Sequence, residues 1–148
     1  MTGLLGKTMK KKIMAVDDEA IILKLMEQIL SREGYEVTTT TNGHEALKIL
    51  EKEEIRVFFL DLKMPDMDGI ELCKKIKEIM PVACIYAVTG YVSDFHIEWC
   101  REAGFDDYFV KPFTVETIVN AAAEAFEKLE RWDEQKSQVD KESKEKTD

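Results

Sequence analysis

No stretch of this 148-residue chain is apolar for anything near the ~18 residues that a membrane span needs. The lysines at positions 7, 10, 11 and 12 have no apolar segment behind them, so the N-terminus does not read as a signal peptide. Cysteine is sparse: Cys73, Cys84 and Cys100 form no C-x-x-C pair. That disfavours a disulfide framework or a zinc site and suggests reduced thiols in a cytoplasmic protein. Excess positive charge is missing too. A net charge of −9 argues against a broad nucleic-acid-binding face and against an anchor on anionic membranes. There is no glycine-rich phosphate loop and no dinucleotide fingerprint. His44 and His96 are lone histidines on predicted helices and read as surface or packing residues.

What is present is alternation. Ile13-Met14-Ala15-Val16 is a short apolar run that ends at Asp17-Asp18-Glu19. From Ala20 to Arg32, Ile22, Leu25, Met26, Ile29 and Leu30 recur at helical spacing. Gly34 closes that helix, and Tyr35-Glu36-Val37-Thr38-Thr39-Thr40 has the β-branched composition of a second strand. A second helix opens at Asn42 or Gly43, with Ala46, Leu47 and Leu50 inward. Val57-Phe58-Phe59-Leu60 is apolar at every position, as a strand buried on both faces is, and it stops at Asp61. A loop with Pro65 follows. After Gly69 comes a third helix with Ile70, Leu72, Cys73, Ile76 and Ile79 inward. Pro81 marks a turn before the apolar strand 83–88, which ends at Thr89-Gly90. A fourth helix spans 93–103 and stops at Gly104. A fifth strand, Tyr108-Phe109-Val110, ends at Lys111-Pro112. Thr114 caps a last helix, although Thr117 stands where a capping box would carry an acid or amide.

Five strands alternating with five helices predict an α/β fold: a doubly wound parallel sheet with right-handed crossovers and helices on both faces. Residues 1–11 read as an N-terminal extension and 12–131 as a single domain. Residues 132–148 read as a charged tail, either disordered or a helix extension. Ile118, Ala122, Ala125, Leu129 and Trp132 follow the steps of a coiled-coil seam. Val139 keeps the register and Lys136 breaks it. Packing of 118–129 on the sheet explains the pattern better than a homodimer, which stays open.

The carboxyl ends of parallel strands share one edge. That edge therefore gathers Asp17 and Asp18 from the first strand, Asp61 from the third, Thr89 from the fourth and Lys111 from the fifth. Three carboxylates repel one another without a cation, and oxygen ligands suit Mg²⁺. Lys111 and the Thr89 hydroxyl could neutralise and hold a phosphoryl group, with Asp61 as nucleophile.

These residues sit in Val16-Asp17-Asp18-Glu19, in Leu60-Asp61-Leu62-Lys63-Met64-Pro65-Asp66-Met67-Asp68-Gly69, in Val88-Thr89-Gly90 and in the run from Gly104 to Phe113. Asp61 and Thr89 are 28 positions apart, and Thr89 and Lys111 are 22 apart. In these motifs the chain resembles a response-regulator receiver domain of bacterial two-component signalling, of the chemotaxis-regulator-like, stand-alone kind. The resemblance implies a flavodoxin-like strand order 2-1-3-4-5. It implies Asp61 as phosphoacceptor, with Mg²⁺ held by Asp17, Asp18, Asp61 and the Lys63 backbone carbonyl. Thr89 and Lys111 would bind the phosphoryl group, and Thr89 and Tyr108 would form a switch pair. It implies a cis peptide between Lys111 and Pro112. Lys63 and Tyr91 would flank the path of the hydrolytic water and tune the phosphoryl lifetime.

The implied partners are a sensor histidine kinase or a histidine phosphotransfer protein, and a downstream protein of unknown identity. No nucleic acid or membrane insertion is expected, and the chain is not expected to be an enzyme. An enzyme of the haloacid-dehalogenase-like phosphatase class also uses an aspartyl phosphate. It wants D-x-D-x-T after its first strand, whereas Asp61 follows the third and position 63 is lysine. A calcium loop at Asp66 and Asp68 fails because its ligand positions fall on Met64 and Lys75.

Overall fold

The centre of the molecule is β3, Val57–Leu60, whose four residues are all buried. A strand can be apolar at every position only if both faces of its sheet are covered, and here they are. The computed structural model describes residues 11–90 and 94–147; in the second span side chains are described from 97 to 144. The other strands are β1 (Lys12–Val16), β2 (Glu36–Thr40), β4 (Cys84–Thr89) and β5 (Asp107–Val110). All neighbours pair in parallel, in the order β2-β1-β3-β4-β5. This is the expected flavodoxin-like arrangement.

The helices are α1 (Ala20–Arg32), α2 (Gly43–Leu50), α3 (Gly69–Ile79), α4 (Asp94–Ala103) and α5 (Val115–Thr147). Alternate strand residues serve opposite cores, as the period of two requires. Ile13, Ala15, Val57, Phe59, Tyr86 and Val88 pack with Leu23, Met26 and Leu30 of α1 and with Ile118, Ala122 and Leu129 of α5. Met14, Val16, Phe58, Leu60 and Ile85 pack with Ala46 of α2, with Leu72, Cys73 and Ile76 of α3, and with Ala103 of α4. Phe59, Tyr86 and Phe109 form a row across three strands, the first pair stacked and the second tilted, with centroids 5.3 and 5.8 Å apart. The three cysteines are buried and unpaired.

Local signals explain the helix ends. The Asn42 and Asp68 side chains accept hydrogen bonds from the third residues of their helices, Glu45 and Glu71, at 2.8 Å each. At α5 the Thr117 N–H donates to Thr114 Oγ1 (3.1 Å), so Thr114 caps the helix, and the two hydroxyls lie 2.7 Å apart. Gly34, at φ 91°, ends α1 in the left-handed conformation that glycine adopts without a steric cost.

Two inward assignments differ from the sequence reading. Leu25 is 42% exposed while Leu23 is buried, so the inner stripe of α1 is rotated by part of a turn. Ile79 is 58% exposed, because it lies in the last turn of α3 beyond the sheet. The seam positions Ile118, Ala122, Ala125 and Leu129 are all buried in the domain's own core, whereas Trp132 and Val139 are exposed. Helix α5 continues as one helix to Thr147. Its overhang is fastened by Arg56, just before β3, which donates from both terminal nitrogens to the two Asp133 carboxylate oxygens at 2.9 Å each. Paired contacts of this kind are the stronger form of an ion pair.

Candidate functional site

The order 2-1-3 places the strand-order reversal between β1 and β3, and an open α/β sheet forms its crevice there. Val16 lies opposite Leu60 in register, so the next residues, Asp17 and Asp61, leave the sheet side by side. Their backbones stay tied to neighbouring strands: Asp17 N–H donates to Thr40 O (3.2 Å) and Asp61 N–H donates to Val16 O (2.9 Å). Lys111 leaves β5 with its N–H on Thr89 O at 2.8 Å, and the Lys111–Pro112 peptide is cis.

The Lys111 ammonium sits among three of the acids. It is 2.8 Å from Asp17 Oδ2, 3.3 Å from Glu19 Oε1 and 3.6 Å from Asp61 Oδ2. The other Asp17 oxygen accepts the Glu19 N–H at 2.8 Å. Asp61 Oδ1 receives a long contact, 3.4 Å, from the Lys63 N–H. Burial pushes the Asp61 carboxyl up and Asp17 adds to the push; Lys111 and the Lys63 N–H oppose them incompletely, and the group titrates at about 6. For Lys111, burial works against the charged form. The hydrogen bond to Asp17 and the charges of Asp61, Asp17 and Glu19 outweigh it and hold the ammonium above the ordinary lysine range.

The open cavity over these groups has a volume of about 530 Å³ and is lined by Asp18, Lys63, Thr89 and Gly90 besides Asp61 and Lys111. Thr89 is buried. Tyr108 lies opposite Ala87 in register, two residues before Thr89 on the same face of β4. Its ring is half-buried against Leu62, Ala87 and Cys100. Tyr91 lies outside the described residues.

Four features were not assigned from the residue pattern. Glu19 reaches Lys111, although only its place beside Asp18 signalled it. Trp99 lines a cavity of about 430 Å³ together with Lys63 and Thr89, so an indole lies close to the site. Asp66 has φ 66°, and the Met67 N–H donates across it to Pro65 O at 2.8 Å. That i to i+2 bond over a left-handed residue makes a tight γ-turn, a strained form that aspartate tolerates better than most residues. Gly69 lies so close to Asp61 that a Cβ there would come within 2.2 Å of the Asp61 carbonyl oxygen. Pro65 and Gly69 marked a loop in the sequence, but nothing in it announced that contact.

A family model described as "Response regulator receiver domain" matches residues 13–123. The chain belongs to this receiver family. It is the receiver domain of a two-component response regulator, a signalling domain rather than a member of a dedicated enzyme family. The receiver is 39% identical over 117 residues to the alkaline phosphatase synthesis transcriptional regulatory protein PhoP of Bacillus subtilis (strain 168), covering 79% of this chain and 48% of that protein. It is 36% identical over 113 residues to sporulation initiation phosphotransferase F of the same organism, covering 76% of this chain and 91% of that one. The chain thus spans about half of the first relative and most of the second. Among solved structures it resembles a CheY-like response regulator receiver domain protein from Methanospirillum hungatei JF-1, with a TM-score of 0.79 and 34% identity, covering 83% of this chain and 99% of the other.

Receivers bind Mg²⁺ at an acidic pocket, and the donor set here fits that ion. One carboxylate oxygen from each of Asp17, Asp18, Glu19 and Asp61 lies within 4.8 Å of the others. Oxygen-only, anionic donors are what Mg²⁺ prefers. Lys111 contacts three of these four carboxylates, those of Asp17, Glu19 and Asp61.

Proposed function

We propose that this receiver takes one phosphoryl group on Asp61 from a histidine kinase or a histidine phosphotransfer protein, and passes the signal on through altered protein contacts. The observation that carries the reading is the arrangement of Asp61: it is buried to 5% exposure, open to a cavity on one side, and joined there by further acids and by Lys111. A carboxylate oxygen of Asp61 attacks phosphorus. The P–N bond of the donor's phosphohistidine breaks, and the imidazole leaves with the electron pair. Lys111 turns toward the new phosphoryl oxygens, and the Thr89 hydroxyl donates to one of them. Asp17, Asp18, Asp61 and the Lys63 carbonyl would hold Mg²⁺, with Glu19 in reach. When bound, the ion neutralises charge on the transferring group.

Incubation with acetyl phosphate and Mg²⁺ tests the reading. One acid-labile phosphate per chain is expected, with none in Asp61→Asn and none after chelation. Full labelling of Asp61→Asn would place the acceptor elsewhere, and continuous turnover of a phosphomonoester would favour a phosphatase.

We further propose that Lys63, exposed beside the acceptor, and Tyr91 screen the phosphoryl group from in-line water. Phosphate loss followed by intact mass should be several-fold faster in Lys63→Ala and Tyr91→Ala. Unchanged decay in both removes the screen.

The signal is proposed to leave through Tyr108. Thr89 can reach a phosphoryl oxygen only by moving toward Asp61, which opens space behind β4. The Tyr108 ring, which packs against the cluster containing Ala87, would then fill it. The phosphoryl group need only bind the inward state better. The ring resonances of Tyr108 should therefore shift on adding beryllofluoride, and Thr89→Ala should abolish the shift while Asp61 still accepts phosphate. Identical Tyr108 spectra in both states would mean another output route.

A further inference from the structure

At the opposite edge of the sheet, where the strands begin, a further cavity of about 410 Å³ lies between the loop from α3 to β4 and the overhanging part of α5. Pro81, Val82 and Leu129 supply apolar surface, and Trp132 supplies a half-exposed indole. Lys77, Lys128 and Arg131 supply three positive charges against the single carboxylate of Asp106. A local excess of positive charge stands out on a chain of net charge −9.

The wall is pre-formed. Asp106 Oδ2 accepts the Ile85 N–H at 2.7 Å, and its other oxygen holds the Lys128 ammonium at 3.0 Å. Lys77 donates to Ala83 O, close to Asp106 at 3.9 Å, and its stem lies beside Gly104. Asp106 thus fixes two ammonium groups that each keep further donors. Arg131 takes part in no ion pair among the described residues. The paired contact of Arg56 with Asp133 fastens the helix segment that carries Trp132. Small-molecule sites have this character: several hundred Å³, mostly apolar, with a few placed polar groups. Lys128, Leu129, Arg131 and Trp132 all lie beyond residue 123, where the family match ends, so one wall of the cavity is built by the part of α5 outside that match.

We propose that this cavity is a binding site for a small anionic molecule carrying an aromatic ring, of the chemical class of a nucleoside monophosphate or an aryl sulfonate. The indole of Trp132 stacks on the ring. Arg131, with Lys77 and Lys128, takes the anion, for which the guanidinium offers a paired geometry.

The test uses the full chain with Trp99→Phe, which leaves Trp132 as the reporter. Adenosine monophosphate and anilinonaphthalene sulfonate are titrated by fluorescence and calorimetry, beside adenosine and inorganic phosphate. At least one of the two aromatic anions should bind saturably with a Kd below about 1 mM. Adenosine and phosphate should each bind at least tenfold more weakly. Arg131→Glu and Trp132→Ala should each weaken binding at least tenfold while acetyl phosphate still labels Asp61, which reports an intact fold. No saturation by either aromatic anion, phosphate binding as tight as theirs, or full affinity in both variants overturns the proposal.

Discussion

Replacing Asp61 by asparagine is expected to stabilise the metal-free protein at pH 7, by up to about 3 kcal/mol, even as it ends phosphorylation. The folded-state carboxyl titrates at about 6, against 3.8 for the free group, because burial and the Asp17 charge outweigh Lys111. The sign follows from proton counting. Between these two values the folded state holds a proton that the unfolded state has lost, so stability falls as pH rises through that window and is flat above it. An asparagine never ionises and escapes the loss. Urea unfolding in chelator should therefore give a higher midpoint for Asp61→Asn at pH 7.5, and the gap should shrink as pH falls toward 4. Adding Mg²⁺ should narrow it from the other side, since the ion stabilises only the chain that binds it. A variant no more stable than the parent at pH 7.5 would mean that Lys111 already balances the acids.

The same acids show what could be read from the chain in advance. Asp17, Asp18, Asp61, Thr89 and Lys111 each follow a short apolar run. Parallel strands bring such run-ends together whatever the details of packing, so the site was legible as a set. The helices were legible from period and caps, and α1 has the expected limits, Ala20–Arg32. Which face of α1 turns inward was not, because Leu23 and Leu25 are equally apolar and the choice is made by the core shared with the sheet and α5. The long α5 had a weak signal: no glycine or proline follows Pro112. What fastens its overhang was hidden, since Arg56 and Asp133 are 77 positions apart and each reads alone as a solvated charge. The aromatic cavity at Trp132 was hidden for the same reason. Trp99 was likewise placed near Lys63 and Thr89 only by the docking of α4.

Gly69→Ala separates sequence logic from structural logic most sharply, because the two predict opposite signs. Gly69 is the first residue of α3, behind the Asp68 cap. By intrinsic preference, alanine in a helix is better than glycine by up to about 1 kcal/mol, so the exchange should stabilise. The folded chain forbids it. The Gly69 N–H donates to Leu62 O at 2.9 Å, drawing the start of α3 against the end of β3. A Cβ at Gly69 would lie 2.2 Å from the Asp61 carbonyl oxygen and 2.9 Å from the Leu62 Cα. Both are backbone atoms, so no rotamer relieves the clash; either α3 shifts or the Asp61 backbone does. Overpacking of this kind costs about 1–3 kcal/mol and sometimes more. The displaced residue is the proposed acceptor, and a misplacement of about 1 Å can slow a reaction by about a hundredfold. Gly69→Ala should therefore lower the urea midpoint and slow labelling by acetyl phosphate at least tenfold at a temperature where the variant is still folded. Asp68→Asn, which keeps the cap, serves as the control and should change neither strongly. If Gly69→Ala proves as stable as the parent and is labelled at the same rate, the close approach of α3 to Asp61 does not set the acceptor's position.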